Sequence, residues 1–148
     1  MRWCRCSPGT WTADRVGIRA PSLYKHLPDK RALEAAVIAH GFEEIAAVFA
    51  DADDLPTVAA SYRGYANQHP HLYRLMTEGP LDRERLEPGV ENRAAAAVVA
   101  AVGGDEHTAR AAWAFAHGMT ILELDGRFPH GADLDAAWAA GVAAFDPR

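Results

Sequence analysis

The chain has 148 residues, 49% hydrophobic in type and 24% charged, with a formal net charge of −5. That length suits one ordinary domain or a small appendage on a slightly larger one, and the apolar content excludes a chain too polar to bury a core. No apolar run approaches the roughly 18–20 residues that span a bilayer, and "MRWCRCSPGTW" has no apolar stretch behind its positive charge, so a secretory leader is not expected and a cytoplasmic address is.

In chain order, residues 1–11 read as an atypical or disordered N-terminus, because Pro8 and Gly9 interrupt any helix. Cys4 and Cys6 stand one residue apart, where a mutual disulfide is strained, and no second cysteine pair completes a zinc site. Two free thiols are expected.

The stretch "VGIRAPSLYKHLPDK" follows at residues 16–30. Gly17 permits a turn between two short helices, Ile18 fills the angle, and Pro21 suits the first turn of a new helix, where its missing N–H costs nothing. Leu23 and Leu27, four apart, face inward, which leaves Arg19, Ser22, Tyr24, Lys25 and His26 outward. The Tyr24 and Ser22 hydroxyls, Lys25 and the following Lys30 at the start of the next helix suit phosphate oxygens, and Arg19 and Ser22, near the N-terminal end of the second helix, are placed to reach base edges in a major groove. Residues 1–31 hold seven Lys and Arg against two Asp, a local charge of +5 that leaves −10 for the remainder. A basic front on an acidic body points to a polyanion partner for the front alone.

The rest of the pattern is helical throughout, with no strand, internal repeat or low-complexity linker expected. Residues 30–49 place Leu33, Ala36, Val37, His40, Ile45, Val48 and Phe49 mostly on one face behind an Asp29 cap. Residues 55–69 form a second helix with Val58, Tyr62 and Tyr65 inward, ending near Pro70. A short helix over 71–77 sets Leu72, Leu75 and Met76 on one side, and "EGPLDRERLEPGVENR" reads largely as a connection. Residues 90–102 resume the helix with Val98, Val99 and Val102, until "GG" at 103–104 stops it.

Asp105 is a good cap for a long helix to about residue 125, where Gly126 takes the left-handed position and Pro129 prevents resumption. Asp133 caps a final helix whose Leu134, Trp138, Val142 and Phe145 form a stripe. Trp113 and Trp138 are hard to bury together in so small a domain, so a two-fold dimer is expected through the last two helices, with Leu122, Leu134, Trp138, Val142 and Phe145 at the seam. The alternative, both tryptophans inside the subunit core, stays open.

"VGIRAPSLYKHLPDKRALEAAV" resembles the helix-turn-helix of TetR-type transcriptional regulators, and "WAFAHGMTILELDGRFP" with "DLDAAWAAGVAAF" and "HPHLYRLM" is similar to the WHG-type ligand-binding domain of a TetR subgroup. The resemblance implies an all-α, TetR-like helical bundle: a partial helix-turn-helix plus connecting helix over 12–50, and a ligand-binding and dimerisation domain over 51–148. It implies that Tyr24, His26 and Lys30 hold phosphates with Lys25 beside them, that Arg19 and Ser22 lie nearest the bases of an operator, and that a small-molecule effector releases a homodimeric repressor. It also implies a first helix that the residues before Gly17 do not supply. The departure leaves two readings, a truncated or misassigned start on a normal regulator, which is favoured, or a dimeric small-molecule-binding or scaffold protein that has lost DNA binding.

Tyr62, Tyr65, His69, Tyr73, Met76, Trp113 and His117, with Phe115 and Met119, are the candidate ligand contacts, since aromatic, sulfur and imidazole groups on convergent helices suit an apolar effector with a few polar points. No cofactor and no metal are expected: His69 and His71 flank a proline, His40 and Glu44 stand alone, and no His-Glu-x-x-His occurs. Without a phosphate-binding glycine loop or a nucleophile elbow, catalysis is not expected either.

Overall fold

The computed structural model describes residues 29–146, which are all-α. In order come α1 (Lys30–Val48), α2 (Leu55–Gln68), α3 (Pro70–Thr77), a 3-10 turn (Arg83–Arg85), α4 (Val90–Ala101), α5 (Glu106–Leu124) and α6 (Leu134–Ala143). Arg19, Ser22, Tyr24, Lys25 and His26 lie outside the described residues. No described helix is long and apolar enough to cross a membrane.

Four aspartates start four of these helices. Asp29 accepts from Ala32 N at 2.8 Å, Asp54 from Thr57 N at 2.8 Å, Asp105 from His107 and Thr108 N, and Asp133 from Ala136 N at 2.9 Å. Each bond satisfies an amide that has no partner within the helix, an arrangement that contributes about 1 kcal/mol. Gly126, at φ 60°, ends α5: its N–H bonds to Glu123 O and the next N–H, of Arg127, to Leu122 O. A single residue, His69, separates α2 from α3 and caps both.

The core lies where α2 is enclosed by α1, α4, α5 and α6, with Phe49, Leu55, Val58, Tyr62, Tyr65, Tyr73, Met76, Val102, Trp138 and Val142 all buried. A smaller cluster of Ala35, Leu86 and Val90 closes the far end of α1. Leu86 thus anchors a connection that sequence alone presents as polar.

Three expectations change. The buried stripe of α1 is Ala35, Gly41, Ile45 and then Phe49, while Leu33, Ala36, His40 and Val48 are exposed. α1 packs against α3 and α4, and small residues set that contact: a Cβ added at Gly41 would collide with the Met76 sulfur. In α3 the buried pair is Tyr73 and Met76, three apart, with Leu75 turned outward. Finally, Trp138 and Val142, expected at a dimer seam, are 5% and 7% exposed inside the chain's own core, whereas Trp113 remains 49% exposed.

Trp138 packs in the core against Phe115, and Arg63 lies over its ring. The Arg63 guanidinium lies 5.7 Å from the Trp138 ring centre, donates from Nε to Glu123 Oε2 at 2.9 Å, and reaches Asp135 Oδ1 from Nη1 at 2.6 Å. Trp138 Nε1–H donates to the same Glu123 carboxylate at 3.2 Å. One arginine on α2 therefore fastens both α5 and α6, and the indole N–H is paired rather than stranded.

Candidate functional site

Tyr62 on α2, Tyr73 on α3 and His117 on α5 bring their polar atoms to one point. The two hydroxyls are 2.8 Å apart with their rings edge to face, and the Tyr73 hydroxyl is 2.7 Å from Nδ1 of His117. The α2–α3 corner places the tyrosines opposite each other, and α5 closes the third side. Trp113, one helical turn before His117, stacks on its imidazole at 5.7 Å between ring centres.

This hydrogen-bonded chain is uncharged at neutral pH. Burial pushes the Tyr73 phenol up to about 12 and the Tyr62 phenol higher still, because a phenolate in low dielectric loses its hydration. Burial also lowers the His117 imidazole below its ordinary value, which favours the neutral ring. Thr120, three residues beyond His117, is 1% exposed. Its hydroxyl lies close enough to that of Tyr73 to offset part of the effect of burial on the phenol, though Oγ1 makes no hydrogen bond of good geometry among the described residues.

An apolar cavity of about 30 Å³ adjoins the chain, with walls that include Phe49, Leu55, Tyr62, Ala112, Trp113, Ala116 and Phe145. It holds no more than a water or two, far short of the volume of an occupied ligand pocket. Trp113 forms part of this wall while half its surface meets solvent.

The seven expected ligand contacts divide into two groups. Tyr62, Tyr73, Trp113 and His117 belong to the chain and cavity just described. Tyr65, His69 and Met76 lie around the α1 contact: the Tyr65 hydroxyl donates to Glu44 Oε2 at 2.9 Å, its ring lies 5.0 Å from that of His69, and its oxygen is 4.0 Å from the Met76 sulfur. Burial, with the Glu44 carboxylate second, raises the Tyr65 phenol. The expected seam divides too. Leu122 is exposed, Leu134 and Phe145 are half-buried, and Trp138 and Val142 are internal; Val142 and Phe145 line the cavity. Lys30, from the expected DNA-contacting set, opens α1 with an exposed ammonium 3.0 Å from Glu34. Thr120 and Arg63 were missed by sequence reasoning, Thr120 because an isolated threonine in a helix carries no signal and Arg63 because its partners lie 60 and 72 residues away.

Residues 55–145 match the family model described as "Tetracyclin repressor-like, C-terminal domain". The chain is 31% identical over 129 residues to "Uncharacterized HTH-type transcriptional regulator Rv0681" of Mycobacterium tuberculosis, an alignment that takes in 77% of this chain and 59% of that protein. The chain thus spans less than two thirds of the length of this curated relative. The solved structure of "putative regulatory protein SCO4313" superposes with a TM-score of 0.71 over 90% of this chain and 81% of that one, at 24% identity, and shares its fold.

Proposed function

The chain belongs to the tetracyclin repressor-like family, and from that premise we propose that it is an effector-responsive, DNA-binding transcriptional regulator, a homodimer that represses until a small molecule occupies its helical body. The observation that carries the effector half is the uncharged Tyr62, Tyr73 and His117 chain at the edge of an apolar cavity, inside the matched domain. Apolar walls with a few convergent polar atoms are the composition of small-molecule sites. For the DNA half, support comes from the +5 charge of residues 1–31 and the motif they contain. The dimer is proposed through α5 and α6 with Leu122 and Trp113 as its exposed apolar contacts, since Trp138 and Val142 are committed to the subunit core. Catalysis and metal or cofactor binding form no part of this function.

The test is a titration of duplex DNA from the flanks of the protein's own coding sequence, at two salt concentrations. A regulator shows sequence-specific binding that falls steeply with salt and weakens when Lys30 becomes alanine. No specific binding, by this chain or by one extended at its N-terminus, overturns the regulator and leaves a dimeric small-molecule-binding or scaffold protein.

A further inference from the structure

We propose that the Tyr62, Tyr73 and His117 chain runs in one direction only, and that it is a proton-sensitive lock between α3 and α5, closed while His117 Nδ1 is bare and opened when that nitrogen takes a proton.

The direction follows from counting protons. Each phenol has one to give. Tyr62 is buried, its oxygen is 2.8 Å from that of Tyr73, and the Trp113 indole N–H acts on it as a second donor. The cavity walls around Tyr62 offer no side-chain acceptor, and a small apolar space of that kind stays dry. The Tyr62 proton therefore goes to Tyr73. The Tyr73 proton then goes to the nitrogen at 2.7 Å, because the Thr120 hydroxyl, though close, is not aligned for a hydrogen bond. Nδ1 is the acceptor at the end of the chain, so the neutral ring carries its hydrogen on Nε2.

A proton on Nδ1 turns that acceptor into a donor. The chain would then have to run backwards, from His117 to Tyr73 and from Tyr73 to Tyr62, leaving the Tyr62 proton against the Trp113 N–H and an apolar wall. A buried donor without an acceptor is costly. Acid therefore parts the chain at the Tyr73–His117 bond.

No neighbouring charge offsets this. Tyr62 and Tyr73 are the titratable groups that α2 and α3 turn toward His117. The charged side chains of the surrounding helices are held elsewhere: Arg63 by Glu123 and Asp135, Arg74 by Glu78 and Asp125, Glu91 by Arg83, Arg93 by Glu43, and Arg110 by Glu106. Among the described residues no carboxylate acts on His117, and burial is what disfavours its charged form.

What the lock holds is α3. That helix also rests on α1, where Met76 fills the space beside Gly41, and Tyr65 reaches both Met76 and Glu44 of α1. Parting Tyr73 from His117 frees α3 from α5 and loosens the seat of α1, the helix that follows the basic front of the sequence. A fall in pH is thus passed toward that front with no ligand in the body.

The experiment is NMR of the 15N-labelled chain, with the His117 ring assigned by its absence in His117→Asn, joined to hydrogen exchange across α3 at pH 7.5 and 5 in the same two proteins. At pH 7.5 the ring is expected to carry hydrogen on Nε2 and none on Nδ1. In Tyr73→Phe, which removes the donor that favours the neutral ring, the His117 pKa is expected to rise by about 1, the worth of one hydrogen bond. The α3 amides of the wild-type protein are expected to exchange roughly tenfold faster at pH 5, after correction for the intrinsic rate. His117→Asn, whose amide oxygen can accept from Tyr73 at either pH, shows no such change. A ring protonated on Nδ1 at pH 7.5 overturns the inference, as does a His117 pKa that stays or falls in Tyr73→Phe. So does wild-type α3 protection that declines no more than that of His117→Asn. The wild-type spectrum decides the direction even if a variant does not fold. Neither DNA nor effector enters the measurement, so the regulator reading can fail while this result stands, and the reverse.

Discussion

Tyr73 and His117, 44 residues apart in the chain, share a 2.7 Å hydrogen bond between the phenol oxygen and Nδ1. With Tyr62 on its other side, the Tyr73 hydroxyl pairs two groups at once. Tyr73→Phe keeps the buried ring and removes the oxygen, so the Tyr62 hydroxyl and the imidazole nitrogen both lose their partner. The expected cost is about 1–3 kcal/mol, read as a melting midpoint lowered by several degrees. A midpoint equal to that of the wild-type protein contradicts the bridging role.

The imidazole sets a pH dependence. Desolvation holds its folded pKa below 6.5, so above that pH both folded and unfolded chains carry it neutral and it contributes no slope. As pH falls below 6.5 the unfolded chain takes up a proton first, and stability falls until the folded pKa is reached. Denaturant melts between pH 7.5 and 5 on wild type and His117→Gln check this: the wild-type protein loses more stability over the acid half of the range than the variant does.

Close approach at Gly41 gives a packing prediction. Gly41→Ala forces Met76 out of its place and is expected to destabilise by about 1–3 kcal/mol, in spite of alanine's better helix propensity. Adding Met76→Ala removes the colliding sulfur, and the double variant is expected to melt above the sum of the two single effects. Simple additivity in the cycle argues that the two side chains do not meet.

Arg63 is expected to matter more than surface ion pairs do. Its side chain and that of Glu123 are only 23% and 18% exposed, whereas Asp135 is 89% exposed. Arg63→Met leaves the Glu123 carboxylate with the Trp138 N–H alone and uncovers the indole, at a cost of about 1–3 kcal/mol. Asp135→Asn changes little. Denaturant midpoints that rank Asp135→Asn as the more damaging change would reverse the assignment.

Three helix starts were legible in the sequence because capping is local: Asp29, Asp105 and Asp133 each bond within three residues of themselves, and Asp54, which the sequence reading passed over, caps in the same way. Faces were less legible. The stripe of α1 was misplaced because large residues attract attention, whereas Ala35 and Gly41 carry the contact by being small. The two tryptophans look alike in sequence, and the Arg63 that lies over Trp138 stands 75 positions before it, where no periodicity connects the two. Tyr62, Tyr73 and His117 were readable as polar points on helices, but their mutual pairing depends on the angle between α2 and α3.

That angle has a consequence for what kinds of inherited change the gene tolerates. Tyr62 pairs with Tyr73 and Tyr65 reaches Met76, both over a separation of eleven residues spanning His69. One residue gained or lost at that corner would turn α3 by about 100° about its own axis and break both contacts together. Substitution can proceed there one letter at a time, but a change of length cannot. Length variation among relatives is therefore expected to collect in residues 79–85 and 127–132, where exposed segments join helices without setting the register of one against another.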